Sequence, residues 1–160
     1  MFLLFLVGCS LSNSPTSKVE DFLMKYQKLD EDIKSGINRV IDEENLTALQ
    51  KERYRNLIEK QYKGLSYEIK DERYDGDNSI ITVEIEVLDY KKAINEIAAY
   101  YLNQKDYTVE EYNDAKLVAL EKVDVRVLYT IDCIVIKDKN GNWNLESLDN
   151  ETIKKILGMY

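Results

Sequence analysis

Between Val123 and Lys137 the chain alternates, with Val123, Val125, Val127, Tyr129, Ile131, Cys133 and Val135 at every second position. Successive side chains of a strand point to opposite faces, so a period of two predicts a long strand with one apolar face. A partner strand is expected from Trp143 to Leu148. Asp138-Lys139-Asn140-Gly141-Asn142 connects them, with Asn140-Gly141 supplying the positive φ of a two-residue hairpin turn. A second hairpin is predicted upstream. Leu65, Tyr67 and Ile69 alternate in one arm, and Ile81, Val83, Ile85 and Val87 in the other, across the turn Asp75-Gly76-Asp77-Asn78.

Elsewhere the apolar period lengthens to three and four, the spacing of a helix face. Val19, Phe22, Leu23, Tyr26, Leu29 (or Asp30), Ile33, Ile37, Val40 and Ile41 form one such stripe behind a capping box at Ser17-x-x-Glu20. Gly36 interrupts it, which fits one kinked helix or two short ones. Another helix is expected from Thr47, capped by Gln50, through Leu49, Tyr54, Leu57, Ile58 and Tyr62, with Gly64 stopping it at C′. Between the two hairpins lies a helical insertion. Its first stripe is Tyr90, Ile94, Ile97, Ala98, Tyr101 and Leu102. Thr108-x-x-Glu111 caps a second helix carrying Tyr112, Lys116, Leu117, Ala119 and Leu120. A short last helix through Ile153, Ile156 and Leu157 follows Asp149 or Asn150. The expected class is α+β, a curved antiparallel sheet of about four strands packed against helices.

Composition narrows the chemistry. The 160 residues suit one domain, and a formal charge of −8 works against nucleic acid, whose phosphates demand a positive surface. Histidine is absent, which removes the commonest general base and transition-metal ligand. No catalytic residue, metal site or cofactor is assigned. The two cysteines, Cys9 and Cys133, lie in unlike surroundings and are not expected to pair.

The N-terminus reads MFLLFLVGC, and Leu6-Val7-Gly8-Cys9 resembles the lipobox of bacterial lipoproteins. The resemblance implies a signal peptide over residues 1–8 and diacylglycerol on Cys9, which cleavage makes the new N-terminus. The protein would then sit on the extracytoplasmic face of a cell membrane, anchored through that lipid. The apolar run is short and has no preceding Lys or Arg, and an upstream start would supply both. Ser10–Thr16 is small and polar, so residues 9–16 are read as lipidated cysteine and flexible tether, and 17–160 as the folded domain.

The order helix, helix, hairpin, helices, long strand and Gly-x-Trp strand resembles small bacterial lipoproteins of the NTF2-like (cystatin-like) class. The stretch Asn140-Gly141-Asn142-Trp143-Asn144-Leu145-Glu146-Ser147-Leu148 is similar to the final strand of that class. The resemblance implies a curved sheet wrapped around a helical layer but no function by itself, and the leading reading is a non-catalytic binding role toward an envelope protein or small molecule. An enzyme or ligand carrier using the concave face is the alternative.

For that alternative, Tyr129 and Asp132 are the candidate ligand-binding residues. Asp132 shares its face with Leu128, Thr130, Ile134 and Ile136, a setting that would favour a raised pKa if half-buried. Cys133 has no histidine partner and reads as a small core residue. The tyrosines suggest a carbohydrate or peptide platform, but Tyr26, Tyr62, Tyr101 and Tyr112 lie on helix stripes and read first as core-edge packing. Asp75-Gly76-Asp77-Asn78 lacks the ligand spacing of a calcium loop. Acidic runs such as Asp42-Glu43-Glu44 are solvated helix ends.

Overall fold

The computed structural model describes residues 13–160, so the expected signal peptide and Cys9 lie outside the described residues. Six helices and a four-stranded antiparallel sheet make up those residues. The helices are α1 (Pro15–Lys28), α2 (Glu31–Glu43), α3 (Ala48–Lys63), α4 (Tyr90–Leu102), α5 (Val109–Glu121) and α6 (Asn150–Ile156). The strands are β1 (Ser66–Asp75), β2 (Asn78–Leu88), β3 (Arg126–Lys137) and β4 (Trp143–Leu145), side by side in chain order. The α4–α5 pair is the helical insertion between the second and third strands.

Alternation decides which face of the sheet is buried. Ile81, Val83, Ile85, Val87, Ile131, Cys133 and Val135 are all 2 % exposed or less and pack against Val19, Leu23, Ile41 and Ile58. In β1 the phase changes. Ile69 pairs with Val83 and Asp71 with Thr82, leaving Lys70 as a bulge. Tyr67 and Ile69 face inward before it, Glu72 and Tyr74 after it, because one extra residue exchanges the faces. A smaller second core sits under the insertion, where Tyr90, Ala93, Leu117 and Leu120 meet Leu57 and Leu88.

Several boundaries differ from the sequence expectation. The first helix is capped by Ser14, not Ser17. Ser14 and Ser17 exchange reciprocal capping bonds and Pro15 takes the first helical position, where its missing N–H costs nothing. Residues 13–16 of the expected tether therefore belong to the folded body. The long stripe breaks at Leu29, not Gly36. Leu29 turns left-handed (φ 50°) while staying buried, and Asp30 caps α2 through the Ile33 N–H at 3.0 Å. Gly36 lies inside α2 with open space around it.

Gly64 is the C-cap in a right-handed conformation rather than a left-handed C′ residue. The β3–β4 connection is a five-residue loop, since Lys137 pairs with Trp143. Asp138 organises it by accepting from the Asn140 and Asn142 backbone N–H groups at 2.8 and 2.9 Å, and of its residues only Gly141 has positive φ. Those bonds hold the Asp138 carboxyl below its usual pKa. In α4 the expected stripe is reduced to Tyr90 and the unpredicted Ala93, and Leu102 is 84 % exposed, because only the base of the insertion rests on the body.

Two anchors close the fold. Trp143 is buried against the main core, edge-on to Tyr74, with Asn142 and Asn144 facing water. At the other end Gln61, 1 % exposed, receives the Leu88 N–H at 2.8 Å and donates to the Leu88 and Leu157 carbonyls at 2.9 and 2.8 Å. Gly158 lies against this group with φ +68°, and a Cβ there would collide with the Leu88 carbonyl and the Gln61 amide.

Trp143→Ala is expected to cost about 3–5 kcal/mol, as large-to-small core changes do, read as a lowered denaturant midpoint with unchanged slope. Gly158→Ala adds one methyl yet should cost more than about 2 kcal/mol, through the left-handed backbone and the displaced amide together. A melting temperature within error of wild type for either variant would refute its assigned role.

Candidate binding site

The helices pack onto the inner face of the sheet and bury it in the main core. Cys133 is fully buried there, and desolvation first, then the neighbouring Asp132 charge, pushes its thiol up to about 12. A thiol in that state carries almost no thiolate near neutrality, so it is a poor nucleophile.

The two candidate ligand residues of β3 are not brought together. Three positions separate them, so they occupy opposite faces. Tyr129 faces the helical side, where its hydroxyl donates to the Tyr160 carbonyl at 3.1 Å and its ring stands edge-on to Tyr160 at 5.9 Å. Burial is the main cause that raises its phenol pKa. Asp132 is exposed on the outer face, accepts from the Thr82 hydroxyl at 2.6 Å and lies 4.0 Å from Arg73. The half-buried setting expected for it is absent because this face is open: Leu128, Ile134 and Ile136 beside it are 59 %, 41 % and 40 % exposed.

A recess of about 570 Å³ lies between the two inserted helices and the start of β3. Ala93 and Ile97 of α4, Ala115 and Val118 of α5, and Val123 and Val125 form its apolar floor. Asp89, Glu96 and Asp124 share its rim with Lys92 and Lys122, so the charges there nearly balance. Val118 and Val125 are 40 % and 55 % exposed, an apolar surface the chain leaves uncovered.

Local sequence explains the shape. Leu117 and Leu120 bury one side of α5 against α3, while Val118 and Ala115 give it a second apolar side. Alanine at 93, 115 and 119 removes the side-chain bulk that would fill the space. Sequence reasoning missed this groove. Its signal was that α5 is apolar on more than one face.

Arg53 and Gln50 of α3 brace the insertion. Arg53 pairs bidentately with Glu121 at 2.7 and 2.9 Å and holds its carboxyl below the usual range, and Gln50 donates to Asp114 at 2.9 Å. Tyr26 and Tyr62 do pack at the core edge, with rings 4.7 Å apart and edge-on. Tyr101 and Tyr112 do not: they join Tyr100 and Tyr107 at the tip of the insertion, outside both cores. Among the described residues no group of three or more Cys, Asp or Glu is arranged to hold a metal ion.

No family model and no curated protein matches this chain. Among solved structures, one from Bacillus subtilis described as a "putative lipoprotein (ycdA)" is similar, at 16 % identity and a TM-score of 0.43. The match covers 88 % of this chain and 45 % of that one, so this chain spans less than half of its length.

The burial of Cys133 has a direct consequence. A thiol reagent added to native protein carrying Cys9→Ala should label Cys133 slowly, and rapidly once denaturant is added. Labelling at comparable rates in both states would contradict the buried, protonated thiol.

Proposed function

We propose that this chain is a lipid-anchored, extracytoplasmic domain of the NTF2-like class that binds an envelope protein or small molecule without catalysis. Binding falls to the α4–α5 groove, not to the concave face of the sheet. The observation that carries this reading is that the two ends of the molecule are unlike. At one end, Asn13 ties the N-terminal arm to the sheet: its side chain accepts from the Trp143 N–H at 3.1 Å and donates to the Gly141 carbonyl at 3.0 Å. The apolar groove opens at the other end. Asn78 pairs with Ile136 near Asn13, and Leu88 pairs with Arg126 beside the groove. At about 3.4 Å per residue β2 separates these ends by roughly 35 Å.

That arrangement suits a tethered receptor. Cys9 precedes Asn13 by four residues, a reach of at most about 14 Å. A lipid on Cys9 would hold the Gly141 end close to the bilayer and turn the groove outward. Among the described residues no helix is long and apolar enough to cross a membrane. The non-catalytic reading is supported by the buried, protonated Cys133 thiol and by Asp132, whose neighbours on an open face are Thr82 and Arg73.

Metabolic labelling with a fatty-acid analogue tests the anchor: the wild type should carry label and Cys9→Ala none. Cross-linking in intact cells tests the groove, since Val118→Lys should remove adducts formed by the wild type while leaving the label in place. An unlabelled wild type would overturn the anchor, and undiminished adducts would overturn the groove.

A further inference from the structure

The tip of the α4–α5 hairpin carries a second recess, separate from the groove. Tyr101 stands at its centre. Its ring lies 5.2 Å from Tyr100, 4.7 Å from Tyr107 and 5.3 Å from Tyr112, at interplanar angles of 78°, 73° and 89°. None of the four belongs to either hydrophobic core, and Tyr100 and Tyr107 are 59 % and 46 % exposed. Leaving aromatic surface in water forfeits the free energy that burial would return, so packing alone does not account for this cluster.

Tyr100, Tyr101 and Tyr107 line a cleft of about 380 Å³ whose other lining includes Asp106, Glu111 and Asp114. Two of these are already committed. Glu111 accepts from the Thr108 N–H at 2.7 Å, and Asp114 is shared by Gln50 and Arg53. Asp106 is exposed, and among the described residues it makes no hydrogen bond or ion pair. No lysine or arginine lines the cleft.

Orientation selects the ligand class. A sugar ring stacks best on one open aromatic platform, and here Tyr101 stands at 73–89° to each of the three rings it touches. Three tyrosine rings and the Asp106 carboxylate line this one cleft, and a tyrosine ring has two π-faces. Each face is electron-rich and attracts a cation within about 6 Å of the ring centre, most strongly where water is partly excluded. A free carboxylate at the rim adds to that attraction, whereas an anion would meet three carboxylates and no lysine or arginine in the lining. We infer that the cleft formed by Tyr100, Tyr101, Tyr107 and Asp106 binds an organic ammonium cation. The site stands apart from the groove and requires neither the groove nor the lipid anchor.

The test titrates the full chain with choline and, in parallel, with its neutral isostere in which carbon replaces the quaternary nitrogen, following tyrosine ring signals by NMR. A third arm uses acetyl-lysine amide, so that a free quaternary ammonium is told apart from the side chain of a protein partner. Choline or the lysine derivative should shift the Tyr101 and Tyr107 signals saturably, with the isostere about tenfold weaker or worse. Tyr107→Ala and Asp106→Asn change exposed side chains and should weaken the cation several-fold. Fluorescence of Trp143, at the far end of the sheet, reports that each variant is folded. Equal response to cation and isostere, no saturable response to either cation, or unaltered binding in both folded variants would overturn the site.

Discussion

A single buried amide holds the two halves of this protein in register. Gln61 satisfies three backbone groups from two elements, the Leu88 N–H and carbonyl and the Leu157 carbonyl, at 2.8–2.9 Å. Those groups lie where β2 ends and where the last helix runs out, so no strand or helix ladder can pair them. Unpaired and buried, each would cost on the order of 1–3 kcal/mol. The Lys91 N–H then bonds to the Gly158 carbonyl at 2.8 Å, tying the first turn of α4 to the same junction. The main core and the smaller core under the insertion meet here, and Tyr54 packs against both.

From that junction the asymmetry of the molecule follows. The helices cover one face of the sheet and leave the other wet, where Lys70 pairs with Glu68 and Glu84, and Arg126 with Glu86. Exposed pairs of this kind contribute little stability, but they keep the β1 side of the open face polar. The edges are protected as well. β1 carries a bulge and a row of charges, and beyond the short β4 the free edge of β3 is met by Lys155, which donates to the Thr130 carbonyl at 3.3 Å. Such features discourage strand addition. Uncovered apolar and aromatic surface remains on the insertion, at the groove and at the tip, and also at Leu128, Ile134 and Ile136 of the open sheet face.

How much of this was legible in the sequence depended on the range of the forces concerned. The inward residues of β2 and the lower half of β3 were readable, because alternation is enforced residue by residue by the pleat. The capping boxes at Thr47-Gln50 and Thr108-Glu111 were readable too, since every partner lies within three positions. Cys133, on the apolar face of β3 and without a histidine to partner it, was read as a core residue and is buried. The sequence by itself therefore determined the element types, most of their order and the identity of the buried sheet face.

Only tertiary structure decided the rest. Ser14 outcompeted Ser17 as the cap because Pro15 packs into the body and Asn13 bonds to the β3–β4 loop, a partner more than a hundred residues away. Leu29 accepted a left-handed conformation because burial of its side chain repaid the strain, so the break fell there and not at the more permissive Gly36. The bulge at Lys70, the Gln61 junction and the close fit of Gly158 each depend on backbone atoms distant in sequence. No local period encodes those contacts. The groove and the tyrosine cleft belong to the same class: the residues were visible in the sequence, but which of their faces would be left without a neighbour was settled only when the helices packed.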